Sequence, residues 1–139
     1  MRIIKVTYHN ITMPNKNNHL YPEAIWKEAL EKFRTRDFWV VSEPTESIEL
    51  KDVVGRVTDF EFSKDMQQVS FEIYVHQDWV DIDKMFFCLF GMGDVSLEDI
   101  NSEITTVKTF NALGLFLADS CAWDYNVELL EEVNDETNN

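Results

Sequence analysis

Apolar positions along the chain follow two periods, one near two and one near 3.6 residues. In Arg2 to Thr7 the β-branched Ile3, Ile4 and Val6 predict a first strand, and Asn10 with Pro14-Asn15-Lys16-Asn17-Asn18 supplies turn chemistry behind it. Asparagine tolerates left-handed backbone angles, so this segment reads as a shaped loop. Ile25, Trp26, Ala29, Leu30 and Phe33 then share one helical face, with Pro22 in the first turn, which predicts an amphipathic helix over residues 22–34. Glu23 and Glu28 lie early in that helix and Lys32, Arg34 and Arg36 late, in agreement with the peptide dipole.

The short bulky run Phe38-Trp39-Val40-Val41 predicts a buried strand, with Pro44 ending it. Val53 to Phe62 and Val69 to Val75 flank Ser63-Lys64-Asp65-Met66-Gln67-Gln68 as a hairpin. Its second arm alternates, Val69, Phe71, Ile73 and Val75 opposing Ser70, Glu72, Tyr74 and His76. Trp79 to Phe90 fits a helical turn leading into a strand as well as one irregular connection, and Gly91-Met92-Gly93-Asp94 is expected to break it. Ser96-Leu97-Glu98-Asp99 resembles a cap and turn. Ile104 to Lys108 and Phe110 to Leu117 read as two β-rich arms with a bulge at Gly114, and Val127, Leu129, Leu130 and Val133 are expected to dock as an edge strand or a short helix. The expected fold class is α+β: a single domain over residues 1–133, a mostly antiparallel sheet or partial barrel with one main helix, followed by a polar tail over 134–139.

With 139 residues, 45% of them apolar, the chain can bury a core of its own. It contains no apolar run of eighteen residues, and its first residues lack the long apolar stretch of a signal peptide, so a cytoplasmic protein is expected. The net charge of −14 is uneven: residues 1–36 carry +4 and residues 37–139 carry −18. Such a field repels nucleic acid and anionic membranes and argues against direct binding to either. It suits a basic protein partner, while solvation of an intracellular protein explains the same acids equally well. Association with a second copy of the chain stays open.

Cys88 and Cys121 sit among apolar neighbours without metal-ligand spacing, which predicts buried free thiols. His9, His19 and His76 are too dispersed to argue for a shared metal, and no cofactor is expected. Asp78, Asp81 and Asp83 alternate loosely with Trp79, Val80 and Ile82, but the turn glycine and terminal glutamate of a calcium loop are missing, so they read as a solvated rim. Gly91-x-Gly93 lacks the rest of a dinucleotide motif. Ten Phe, four Trp and four Tyr are present. Trp26 and Phe33 suit the helix core, whereas Trp79, Phe86, Phe87, Phe90, Trp123 and Tyr125 gather near loops and acids, with Trp79, Phe90, Trp123 and Tyr125 the ones expected to bind. With Asp78, Asp81 and Asp83 they form a candidate protein-binding surface with aromatic anchors, and a core rich in large rings accounts for the same aromatics. Glu43, Glu46, Glu49, Asp52, Asp78, Asp81 and Asp83 are the carboxylates that a nucleic-acid mimic would use against a DNA-binding or defence protein.

The order of these parts is specific: a strand, an Asn-rich loop ending in Tyr21-Pro22, a helix, a short strand, an X-Pro loop, then the aliphatic run Val53 to Phe60. In this order the chain resembles the capsid maturation (prohead) proteases of tailed bacteriophages and their head-assembly relatives, whose chains open with Asn-x-Asn-Gly-Arg-x-Tyr-Pro before a helix. Asn15, Asn17, Tyr21 and Pro22 match, while Asn18 and His19 replace the Gly and Arg. The resemblance implies a catalytic histidine in a Gly-Glu-x-x-His-Pro-like loop; here Val41-Ser42-Glu43-Pro44 stands there, and a carboxylate cannot shuttle protons as imidazole does near neutral pH. It also implies a nucleophilic serine after the hairpin, where the counterpart is Cys88 within Phe87-Cys88-Leu89-Phe90-Gly91. A relative with degenerate catalytic positions at Glu43 and Cys88 is therefore expected to be non-enzymatic and to act by binding a protein, in head assembly or against a host factor. A residual cysteine protease using Cys88 with His76 or His19 is the remaining enzymatic reading.

Overall fold

The computed structural model describes residues 1–96 and 103–133. Within them the chain forms β1 (Arg2–His9), β2 (His19–Leu20), α1 (Glu23–Glu31, continued by a 3-10 turn over Lys32–Arg34), β3 (Trp39–Val41), β4 (Val53–Phe62), β5 (Gln68–Val75), β6 (Phe86–Val95), β7 (Thr105–Ala118) and β8 (Asp124–Glu132). The strands make one curled sheet in the order β6-β7-β3-β4-β5-β1-β8, with β2 paired to the start of β7. Neighbours are antiparallel except that β2 and β3 run parallel to β7. This is the α+β half-barrel with one helix that the periodicities predict. Pro22 caps the helix, its carbonyl accepting from the N–H groups of Ile25 and Trp26 at 3.0 and 3.2 Å.

Alternation on β5 becomes burial: Val69, Phe71, Ile73 and Val75 are in the core, while Glu72 and His76 are exposed. From the helix, Trp26, Ala29 and Leu30 enter the same core, and the Trp26 indole N–H donates to the Ile11 carbonyl at 2.8 Å. Tyr8 lies at the centre, stacked on Trp123 at 5.3 Å and edge-on to Phe71 at 5.2 Å. Curling of the sheet brings β6 to face β1 and β8, and side chains bridge the gap. The Tyr8 hydroxyl donates to the Phe87 carbonyl and accepts from the Leu89 N–H at 3.0 Å, and the Tyr125 hydroxyl accepts from the Phe87 N–H at 3.2 Å. Two phenols thus satisfy three backbone groups on the free edge of β6, where each buried group left unpaired costs about 1–3 kcal/mol.

The glycines do not break β6. The strand continues through Gly91 and Gly93 to Val95, because a Cβ at either position would run into the carbonyl oxygens of Asn111 and Thr109, and glycine alone lets the two backbones approach. With its partner uninterrupted, β7 is one strand instead of two arms. Phe90 pairs with Gly114 and Gly91 with Ala112, so the bulge falls on Leu113, next to the glycine expected to mark it. Between β5 and β6, Met85 closes a single helical turn onto Asp81 at 2.9 Å before the strand begins, the first of the two expected alternatives. β8 docks as an edge strand. Asn10 and Asn18 adopt φ of 56° and 58°, and the Asn15 side-chain oxygen accepts from the N–H groups of Asn17 and His19 at 2.9 and 3.1 Å, so the loop is shaped as its asparagines suggest. The cap and turn expected at Ser96 to Asp99 falls mostly outside the described residues, as does the tail over 134–139.

Candidate functional site

Chemistry collects in two places, a thiol-lined cavity and an acidic loop end. The cavity, about 330 Å³, is lined by Lys16 and Asn17 from the Asn-rich loop, Cys88 and Leu89 from β6, Phe116 from β7, and Ser120 to Trp123 from the segment before β8. Strand register explains why Cys88 arrives there. Val41 pairs with Phe116 and Phe116 with Cys88, placing the three in one row across β3, β7 and β6, and Glu43 follows two residues past the end of β3. The two positions singled out by the family resemblance therefore lie near one end of three adjacent strands.

Their surroundings differ. Glu43 is exposed, whereas Cys88 is 7% exposed and its thiol donates to the Ser120 carbonyl at 3.2 Å. None of the three histidines lines the cavity: His9 ends β1 with its ring against the Asn126 side chain, His19 pairs with Thr105, and His76 is exposed just past β5. The Cys88 pairing with His76 or His19 that a cysteine protease would use is not brought together. A hydrogen bond to the Cys121 thiol, with burial behind it, pushes the Cys88 thiol well above its ordinary range. Cys121 moves the other way. The hydrogen bond from Cys88 lowers it first; burial opposes, and the N–H groups of Trp123 and Ala122 and the Lys16 ammonium add to the lowering. Both cysteines are buried and free, as expected, yet nothing in their spacing or neighbours predicts that they meet. No sequence signal joins Cys121 to Lys16, because their approach depends on a backbone bond, Lys16 N–H to the Ala122 carbonyl at 2.9 Å, between segments far apart in the chain.

The second place is built by the connections over residues 42–52 and 76–85. Both leave the same end of β4 and β5: Gly55 pairs with Val75, and the His76 N–H donates to the Val54 carbonyl at 3.2 Å. Together they hold seven carboxylates, Glu43, Glu46, Glu49, Asp52, Asp78, Asp81 and Asp83, against Lys51 and Lys84. Amid these acids Trp79 is 54% exposed and Leu50 85% exposed. Of the expected binding residues, Asp78, Trp79, Asp81 and Asp83 do share this loop. The other three do not belong to it. Trp123 is buried, stacked on Tyr8; Tyr125 turns its hydroxyl inward to β6; Phe90 packs edge-on to Phe116 at 5.7 Å. In sequence Leu50 is not singled out, because it alternates with Ile48 just ahead of the aliphatic run from Val53. Among the described residues no three His, Cys, Asp or Glu side chains converge as a metal site would require, and no helix is long and apolar enough to cross a membrane.

No protein-family model matches the chain, and no curated protein matches it. Among solved structures, the capsid assembly protease of bacteriophage T4, gp21, matches with a TM-score of 0.61 at 14% sequence identity, over 81% of this chain and 79% of that one. At that identity the likeness concerns the arrangement of the backbone, and the chain carries the fold of a bacteriophage prohead protease.

Proposed function

We propose that this chain is a non-enzymatic phage protein that uses a prohead-protease-like fold to bind another protein, either a head-assembly component or a host factor, through the loops over 42–52 and 76–85. The carrying observation is the exposure of Trp79 and Leu50 within a cluster of seven carboxylates. A large ring and an isobutyl group held in water gain most of their burial energy only when a partner covers them, and the acids around them select a basic surface and speed encounter. The absence of an imidazole from the Cys88 cavity supports the non-enzymatic half of the reading, since a buried thiol with no base beside it is not activated to attack a peptide carbonyl.

Affinity capture on the immobilised chain tests this. A basic protein is expected to be retained at low ionic strength and released as salt rises, with the Asp78→Asn, Asp81→Asn, Asp83→Asn triple variant losing it. Equal retention by that variant, or peptide hydrolysis by the purified chain, overturns the reading. The gathering of carboxylates at one end of the sheet favours a second reading, mimicry of nucleic acid. It requires that duplex DNA compete for the captured protein; carboxylates also continue over the outer sheet face through Asp59, Glu61, Glu72 and Glu128, which dilutes a phosphate-like spacing.

A further inference from the structure

We propose that Cys88 and Cys121 form a redox-active dithiol, with Cys121 as the attacking thiol and Cys88 as the resolving one, oxidised by low-molecular-weight disulfides that enter the cavity between the Asn-rich loop and β6. This site is separate from the acidic loops and does not depend on their role.

Four observations build it. Both sulfurs line one cavity of about 330 Å³, large enough to admit a small thiol compound. The Cys88 thiol donates at 3.2 Å to the carbonyl of Ser120, the residue immediately before Cys121, so the two side chains are held against each other by β6 and the segment leaving β7. Lys16 lines the same cavity, fixed there by its backbone bond to Ala122, and places a positive charge beside Cys121. Finally, the Cys88 thiol, the backbone N–H groups of Trp123 and Ala122 and the Lys16 ammonium together hold the Cys121 thiol below its ordinary range, against the opposing effect of burial. A cation and two amides around one sulfur stabilise a thiolate, and the neighbouring sulfhydryl is the group placed to displace what that thiolate captures.

The chemistry closes without another reagent. The Cys121 thiolate attacks one sulfur of R–S–S–R, forming Cys121–S–S–R and expelling RS⁻, which takes a proton. Cys88 then loses its proton to solvent and attacks the Cys121 sulfur, forming the Cys88–Cys121 bond and expelling the second RS⁻, protonated in turn. The two protein thiols lose two electrons and the reagent gains them, yielding two RSH.

The full-length folded chain is treated with glutathione disulfide and followed by intact mass and peptide mapping. The expected product has lost two hydrogens and yields a disulfide-linked peptide pair containing Cys88 and Cys121. In Cys88→Ser the glutathione adduct is expected to accumulate on Cys121, in Cys121→Ser adduct formation slows on the order of tenfold, and Lys16→Gln slows alkylation of Cys121 in the reduced protein severalfold. Circular dichroism of each variant confirms that the fold persists. Glutathione on both cysteines without a cross-linked peptide, or no modification of either thiol in the folded chain, overturns the proposal.

Discussion

The two ends of the sheet spend aromatic side chains in opposite ways. Around Tyr8 the rings of Trp26, Phe71, Trp123 and Tyr125 interlock, and the phenols hold the free edge of β6. At the acidic end Trp79 stands half in water, with Leu50 even more exposed. In sequence both groups look alike, large rings beside loops and acids. What separates them is whether another strand needs the ring: β6 faces β1 and β8 without a ladder, so Tyr8 and Tyr125 are structural, while among the described residues no side-chain hydrogen bond or ring contact holds Trp79.

The most severe effect expected from this contrast is alkaline. Burial raises the tyrosine ionisations of Tyr8, Tyr21 and Tyr125. Above about pH 10 the unfolded chain has released protons that the folded chain still holds, so Tyr8 and Tyr125 each subtract up to about 1.4 kcal/mol of stability per pH unit until the folded-state value is passed, and Tyr21, more open to solvent, subtracts less. Stability from these groups is intact below that pH. Tyrosinate absorbance should therefore rise together with loss of structure; ionisation of these three within a folded chain would break the comparison.

Next in size is Tyr8→Phe, which keeps the ring stack and strips the partner from the Phe87 carbonyl and the Leu89 N–H. Two buried groups left unpaired cost about 2–4 kcal/mol by denaturant titration, and Tyr125→Phe, which frees only the Phe87 N–H, about 1–2 kcal/mol. A loss under about 0.5 kcal/mol for Tyr8→Phe would mean that β6 does not need its phenol cap. At the other end Trp79→Ala and Leu50→Ser should change stability by no more than about 0.5 kcal/mol, in either direction, because exposed side chains lose little on truncation.

Much of the fold was legible because local signals and tertiary demand agreed. The helical face of Ile25 to Phe33, the β4–β5 hairpin and the loop shaped by Asn10 and Asn18 all carry their geometry in their own residues. The Gly91-Met92-Gly93 stretch misled for the opposite reason: glycine signals a break locally, while here it permits close approach to β7, a fact held by another segment. The site divided in the same way. Asp78, Trp79, Asp81 and Asp83 are contiguous and were found together, whereas Cys88, Cys121 and Lys16 meet only through β6, the end of β7 and a loop near the N-terminus. The acidic neighbours of Trp123 and Tyr125 suggest an interface in sequence, whereas their inward orientation follows from pairing of β8 with β1, which sets Tyr125 opposite Tyr8.

The proposed working surface lies in the loops, with the cavity outside partner recognition, and one measurement separates the two: partner retention by the Trp79→Ala, Leu50→Ser double variant beside that of the Cys88→Ser, Cys121→Ser double variant, each shown to be folded. Retention should vanish in the first and persist in the second. Retention lost with the cysteines and kept without Trp79 and Leu50 would contradict it.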